Sequence, residues 1–240
     1  MESSKYKYNS WPLGKLPKEL QRPEPDIIRD MGYEWDDPRD IVDIWESKVA
    51  SFAGAKYAVS VDCCSHAIFL CLLYLRGVGE LEDRDNIHCP KRTYASVPMQ
   101  IIHAGLRVKF EDIKWEGLYR LYPTLIFDAG LRWNEEMYIK DSLMCLSFQI
   151  KKRIPIGRGG MILTDDREAY EWLRLARYDG REMSVPYTDK NHIQGIGWHM
   201  YQTPEDCARG IILMDSIPTN NPDQGGYTNY TDLSLIFKKF

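Results

Sequence analysis

The run SFQIKKRIPIGRGGMILTDD, residues 147–166, sets two lysines, Lys151 and Lys152, just after an apolar strand pattern and before a Gly-rich turn that opens a second strand. A lysine on such a turn is held at the edge of a sheet. Flanking positive charge from Arg153 and Arg158 disfavours its protonated form, and a free amine there can condense with a carbonyl to a Schiff base. Taken alone, the same run reads as a basic surface cluster beside a tight turn. The choice between the two depends on which other polar residues the chain gathers at the same place.

Those residues follow from the predicted elements. Apolar residues at helical spacing (Ile41, Ile44, Trp45, Val49 and Phe52) predict a helix from Asp40 to Phe52, closed by Gly54. Residues 56–61 read as a strand, 67–75 as a buried helix, 86–89 as a short strand, and 96–104 as a helix ended by Gly105. Strand patterns recur at 106–112, within 121–128, at 143–148 and at 160–165, and helices are predicted over 167–178 and 204–215. Strands alternating with helices predict an α/β protein, a three-layer sandwich with a mostly parallel central sheet. In that architecture ligands collect at the C-terminal ends of strands. Cys63–Ser65, Thr93 and Tyr94, Asp128, and Ser147–Lys152 all fall just after predicted strands.

The bulk numbers bound the rest. The 240 residues are 44% hydrophobic, enough for one substantial core, and the net charge of −4 gives no general attraction to nucleic acid or anionic membrane. No apolar run is long enough to span a bilayer, and the N-terminus does not read as a secretory signal, so a cytoplasmic location is expected. Six cysteines without a CxxC pair read as reduced, largely buried thiols, and no metal site is expected. Residues 1–37, rich in Pro, Tyr and charge, read as an irregular arm, 38–216 as the α/β domain, and 217–240 as a loosely packed polar tail.

Four segments, in order, resemble the DegT/DnrJ/EryC1/StrS family of pyridoxal-phosphate enzymes, best known as sugar aminotransferases. YAVSVDCCSHAIFLCLLYL is similar to the family's strand, Ser-Gly-Thr turn and helix; CPKRTYASVPMQIIHAGLRVKFED to its Pro-x-x-Thr-Phe segment; LIFDAG to its Asp-Ala-Ala turn; and SFQIKKRIPIGRGGM to its Ser-Phe-His-x-x-Lys…Gly-Glu-Gly-Gly-Met signature. The resemblance covers about residues 45–216 and implies the large domain of the fold type I transferases, with pyridoxal 5′-phosphate as cofactor. Counted from Ser147, the Schiff-base lysine would be Lys152, which would also move the proton at the substrate carbon. Asp128 would face the pyridine nitrogen. Ser65, opening a helix, and Ser147 would take the phosphate, with Cys64 standing where the family has glycine. Tyr94 would stack on the ring, and Thr93 would lie close by. His199 falls where the family places an asparagine reaching the partner subunit's cofactor, which implies a homodimer.

The chain departs from the pattern at Tyr201, where the family has arginine, at Leu131, where Gln or His is usual, and over 112–121, which is short for the family's extra strand and helix. The match ends where the family's smaller domain is expected, which implies an open site. The reaction favoured is transamination on a sugar-like or nucleotide-linked amine. The alternative is a decarboxylase or lyase acting on an amino-acid group carried by a large substrate, such as a nucleotide or a hypermodified thymidine in phage DNA. In that case nucleic acid becomes a partner and the host cytoplasm the location.

Overall fold

The structure, a computed structural model, describes residues 21–237. Its elements are α1 (Glu24–Asp30), α2 (Asp40–Ala53), β1 (Tyr57–Val61), α3 (Cys64–Gly77), β2 (Asn86–Pro90), α4 (Ser96–His103), β3 (Arg107–Glu111), β4 (Tyr119–Leu121), β5 (Ile126–Asp128), β6 (Leu143–Ser147), β7 (Gly160–Thr164), α5 (Arg167–Ala176) and α6 (Pro204–Asp215). The helices are bounded by local chemistry. Asp166 caps α5 by accepting from the amides of Glu168 and Ala169, Thr203 caps α6 with Pro204 behind it, and Gly54 ends α2 in the left-handed conformation at φ 80°.

Five strands form one sheet in the order β1-β7-β6-β5-β4, and β2 and β3 pair separately. An antiparallel bridge between His88 and Tyr122 links the two. β1, β5 and β6 run one way, and the bridge sets β2 and β3 in the same sense, while β4 and β7 run against them. The expected majority direction is therefore present, but neighbours are mixed, since β1–β7, β6–β7 and β4–β5 are antiparallel. The cause is connection length. Residues 148–159 and 122–125 carry no helix, so β7 and β5 return as hairpin partners of the strands before them.

Alternation along the strands builds two core faces. Val59, Val61, Cys145 and Ile162 point to the layer containing α3, α4 and α5. Ala58, Met144, Leu146, Met161 and Leu163 point to α1, α2 and α6. This is the expected three-layer sandwich. On the second face the buried Glu46 accepts from the Ser60 amide and hydroxyl at 2.7 Å each and pairs with the buried Arg177.

The terminal segments differ from the expectation. α1 lies inside the arm read as irregular. Its seven residues are too few to show a period, and Pro at its start is compatible with a first turn. Ile28 of α1 is fully buried against the α2/α6 layer. Residues 1–20 of the arm lie outside the described residues. The tail is anchored rather than loose. Arg132 holds Asp223 at 2.6 Å, the Trp115 carbonyl accepts from Tyr227, and Leu233 is buried.

Candidate active site

Strand register assembles one end of the sheet. Val61 and Ser147 both sit opposite Gly160, Asp128 sits beside Cys145 at the end of β5, and Tyr119 sits opposite Asp128. After Ser147 the chain folds back on itself through Ile150 N–H to Gly157 O (3.1 Å), Gly157 N–H to Phe148 O (3.2 Å) and Lys152 N–H to Gln149 O (2.7 Å). Buried Phe148 and Ile154 pin this turn to the core. Lys152 is thus carried on a hydrogen-bonded connection between β6 and β7. Gly160 explains the Gly-rich stretch. A Cβ there would stand 2.5 Å from the Cys63 carbonyl carbon and 2.6 Å from the Cys64 nitrogen, so only glycine lets β7 pass under the start of α3.

α3 starts at Cys64, three residues before its apolar period begins, with Cys63 as an extended N-cap. Ser65 therefore lies in the first turn, not at the cap. A cysteine cap leaves no recognisable mark in the sequence. The first-turn amides have no acceptor within the helix, and with the helix dipole they make an anion seat. Ser65 Oγ lies 2.6 Å from Ser96 Oγ, and both face the same cavity as Ser147.

That cavity, of about 620 Å³, brings together Cys64, Ser65, Tyr94, Asp128, Ser147 and Lys152. Tyr94 stands at its mouth, 63% exposed. A Cβ on Gly130 would lie 3.1 Å from Asp128 Oδ1, 3.4 Å from Ser147 Cβ and 3.7 Å from Lys152 Nζ. The acid, the serine and the lysine therefore surround one open space that the missing side chain leaves clear. Asp128 accepts from Tyr119 Oη at 2.6 Å, from Gly130 N–H at 2.9 Å and, more loosely, from Cys64 Sγ at 3.8 Å. Among the described residues it has no ion pair. Burial raises the Cys64 thiol well above its ordinary range, Asp128 adds to the rise and Lys152 opposes it.

His199 is not brought in. It is largely exposed, 2.9 Å from Asp179 and edge-on to Tyr201, away from the cavity. Tyr201 packs on Tyr178 and does not line the cavity either, while Leu131 does. Of the two flanking arginines, Arg158 lines the cavity but is paired with Asp62 at 2.6 Å, and Arg153 donates to the Pro222 carbonyl at 2.9 Å. Sequence reasoning did not identify Ser96, Trp115, Tyr119, Gln224, Asn229 or Tyr230 as part of the site. All but Tyr119 line the cavity, and Tyr119 stands behind it. The last three come from the tail and close one side of a site expected to be open. Burial, with Asp128 nearby, pushes Tyr230 up to about 12.

At the rim, Asp62, Cys63 and His66 bring potential ligand atoms within 4.8 Å of one another. Both Asp62 oxygens are already engaged, one by His66 at 2.6 Å and one by Arg158. This is an ion-pair cluster in geometry. The six cysteines are free, with Cys71, Cys89, Cys145 and Cys207 buried. No described helix is long and apolar enough to cross a membrane.

The fold defined by this geometry is shared with solved structures that include a sugar aminotransferase and a PLP-bound dehydratase. The sugar aminotransferase CalS13 from Micromonospora echinospora superposes with a TM-score of 0.64 at 17% identity, over 73% of this chain and 60% of that one. AtS13 from Actinomadura melliaura gives 0.67 at 18% identity, over 88% and 68%. A GDP-4-keto-6-deoxymannose-3-dehydratase trapped with a PLP-glutamate adduct gives 0.60 at 20%, over 88% and 69%. The sequence profile of the DegT/DnrJ/EryC1/StrS aminotransferase family matches residues 34–124 and 130–221, and the chain belongs to that family. A curated relative, the spore coat polysaccharide biosynthesis protein SpsC of Bacillus subtilis (strain 168), is 25% identical over 203 residues, 67% of this chain. The chain spans about half the length of that relative.

Proposed function

We propose that the cavity binds pyridoxal 5′-phosphate and that the chain is a sugar aminotransferase acting on a sugar-like or nucleotide-linked amine. The observation that carries this reading is the placement of Lys152 and Asp128 around the space at Gly130, beside the anion seat of α3. The residues present fit the cofactor: a cradle kept clear by glycine, a carboxylate with no ion pair among the described residues, and two hydroxyls at a helix N-terminus. When bound, the cofactor supplies an electron sink for a carbanion beside a substrate nitrogen. Lys152 would hold the cofactor through its Nζ and would move the proton at the reacting carbon. Asp128 would hold a proton on the ring nitrogen. Ser65, Ser96 and Ser147, with the first amides of α3, would take the phosphate, and Tyr94 would cover the ring.

The cofactor-binding unit in this reading is 38–216, with the tail from 217 onward closing one side. His199, exposed and outside the cavity, would in this reading serve the site of a second copy, as the family resemblance implies, and the working unit would be a homodimer. The aminotransferase family and the names of CalS13 and SpsC do not favour the decarboxylase or lyase alternative, or a DNA substrate.

The test is direct. The purified protein titrated with pyridoxal phosphate should gain a visible band that Lys152→Ala abolishes, and glutamate should convert that band to the pyridoxamine form. A wild-type protein that gains no band, or a band that survives in Lys152→Ala, sinks the assignment.

A further inference from the structure

Resting on that reading, we infer that Tyr119 is a positioning residue for the cofactor's ring nitrogen: with Thr93 behind it, it fixes the Asp128 carboxylate in the one orientation that faces the cavity. Tyr119 comes from β4, a strand the sequence did not announce, and is the direct cross-strand neighbour of Asp128. Its hydroxyl has one proton, which goes to Asp128 Oδ2 at 2.6 Å. The Thr93 hydroxyl, 2.5 Å from the Tyr119 oxygen, must therefore donate to it. The result is a chain of donors, Thr93 to Tyr119 to Asp128, in which each bond polarises the next.

Both residues are closed off from water, Thr93 at 2% and Tyr119 at 5% exposure, and Trp115 packs on the Tyr119 ring at 4.7 Å. The donor is permanent, because burial and the charge of Asp128 hold the Tyr119 phenol well above its ordinary range. With Gly130 N–H on Oδ1, both carboxylate oxygens are pinned. The other titratable groups around Asp128 are Cys64 of α3, Cys89 of β2, Cys145 of β6 and Tyr230 of the tail. All are raised by burial and stay neutral. Apart from Lys152, the acid therefore meets only neutral donors. A protonated ring nitrogen would find a single charge waiting at a fixed angle.

The test uses the full chain loaded with pyridoxal phosphate. Tyr119→Phe removes only the hydroxyl from a packed ring, and Thr93→Val removes only the second donor. The ring nitrogen's proton is then held less firmly. A less positive ring withdraws less electron density from its substituents, so the pH midpoint of the visible band should rise, by roughly half a unit or more in Tyr119→Phe and by less in Thr93→Val. The cofactor's dissociation constant should rise about tenfold and about threefold respectively, as expected for loss of a hydrogen bond to a charged group and of its supporting donor. Circular dichroism and urea midpoints establish that each variant is folded. If wild type binds with its band and both variants keep its midpoint and affinity, Tyr119 is only a packing residue and the inference falls while the cofactor assignment stands. If wild type itself gains no band, it is the assignment that fails.

Discussion

Two acids beside the same sheet, half-buried Asp128 at the end of β5 and buried Glu46 of α2, are treated in opposite ways. Glu46 accepts from Ser60 twice and pairs with Arg177, whose guanidinium also donates to the Ser60 carbonyl and hydroxyl. Its countercharge is built in, and the cluster is sealed between α2, β1 and the end of α5. Among the described residues Asp128 has no such ion pair. Its partners are a phenol, a backbone amide and a thiol, and its open side faces the cavity. Burying a charge is costly unless it is compensated. Glu46 is compensated by the fold itself, so it stabilises a structure. Asp128 is compensated by neutral dipoles that keep it in place without neutralising it, and the missing positive charge must come with a ligand.

The contrast can be broken at either end. Lys152→Ala should leave stability unchanged within about 0.5 kcal/mol, since the side chain is partly exposed on a surface connection, yet lose the cofactor band altogether. Transamination should fall on the order of 10²–10⁴-fold from the lost proton transfer alone. Glu46→Ala should do the reverse. It leaves Arg177 buried and unpaired, with an expected loss of roughly 3–5 kcal/mol in urea unfolding, while whatever protein remains folded still binds the cofactor. A loss below 1 kcal/mol would erase the difference between the two acids. Asp128→Asn tests the other acid. It should change stability by about 1 kcal/mol at most and weaken cofactor binding at least about tenfold, read by titration of the visible band. Equal damage to folding in both acid variants would mean that Asp128, too, is a structural charge.

The legibility of the two regions in the sequence follows the same division. The Lys152 side was readable because long periodic elements carry it. β6, β7, α3 and α6 announce themselves through apolar runs, caps and the Gly-rich turn, and the polar residues at their ends are found by counting. Asp128 was readable for the same reason, at the end of an apolar run. What holds Asp128 was not. Tyr119 sits in a three-residue strand whose only distinguishing property is its register with β5, and register is a tertiary fact. Gln224, Asn229 and Tyr230 reach the cavity from a polar segment with two short 3-10 turns and no period, so composition alone reads it as loose. The Glu46–Arg177 pair joins residues 131 apart in the chain, on helices whose amphipathic patterns count charged residues as outward-facing.

The smallest expected effect lies at the cavity rim, where a third acid has the intermediate arrangement. Asp62 pairs with a cation that can titrate, His66, at 2.6 Å, with Arg158 on its other oxygen and Cys63 adjacent. The hydrogen bond to Asp62, helped by Cys63, raises His66 from 6.5 to about 10. A histidine raised on folding adds stability that is fully present below its unfolded value and is lost as pH climbs through the folded one. The pair's contribution should therefore be complete at pH 6, decline from about 6.5, and be gone near 10. Because His66 and Asp62 are both partly exposed, solvent screening limits the effect to about 1 kcal/mol. Urea midpoints of wild type and His66→Gln should accordingly differ at pH 6 and converge by pH 10. A constant gap across that range would place Asp62 with Glu46, as an acid whose partner never changes charge.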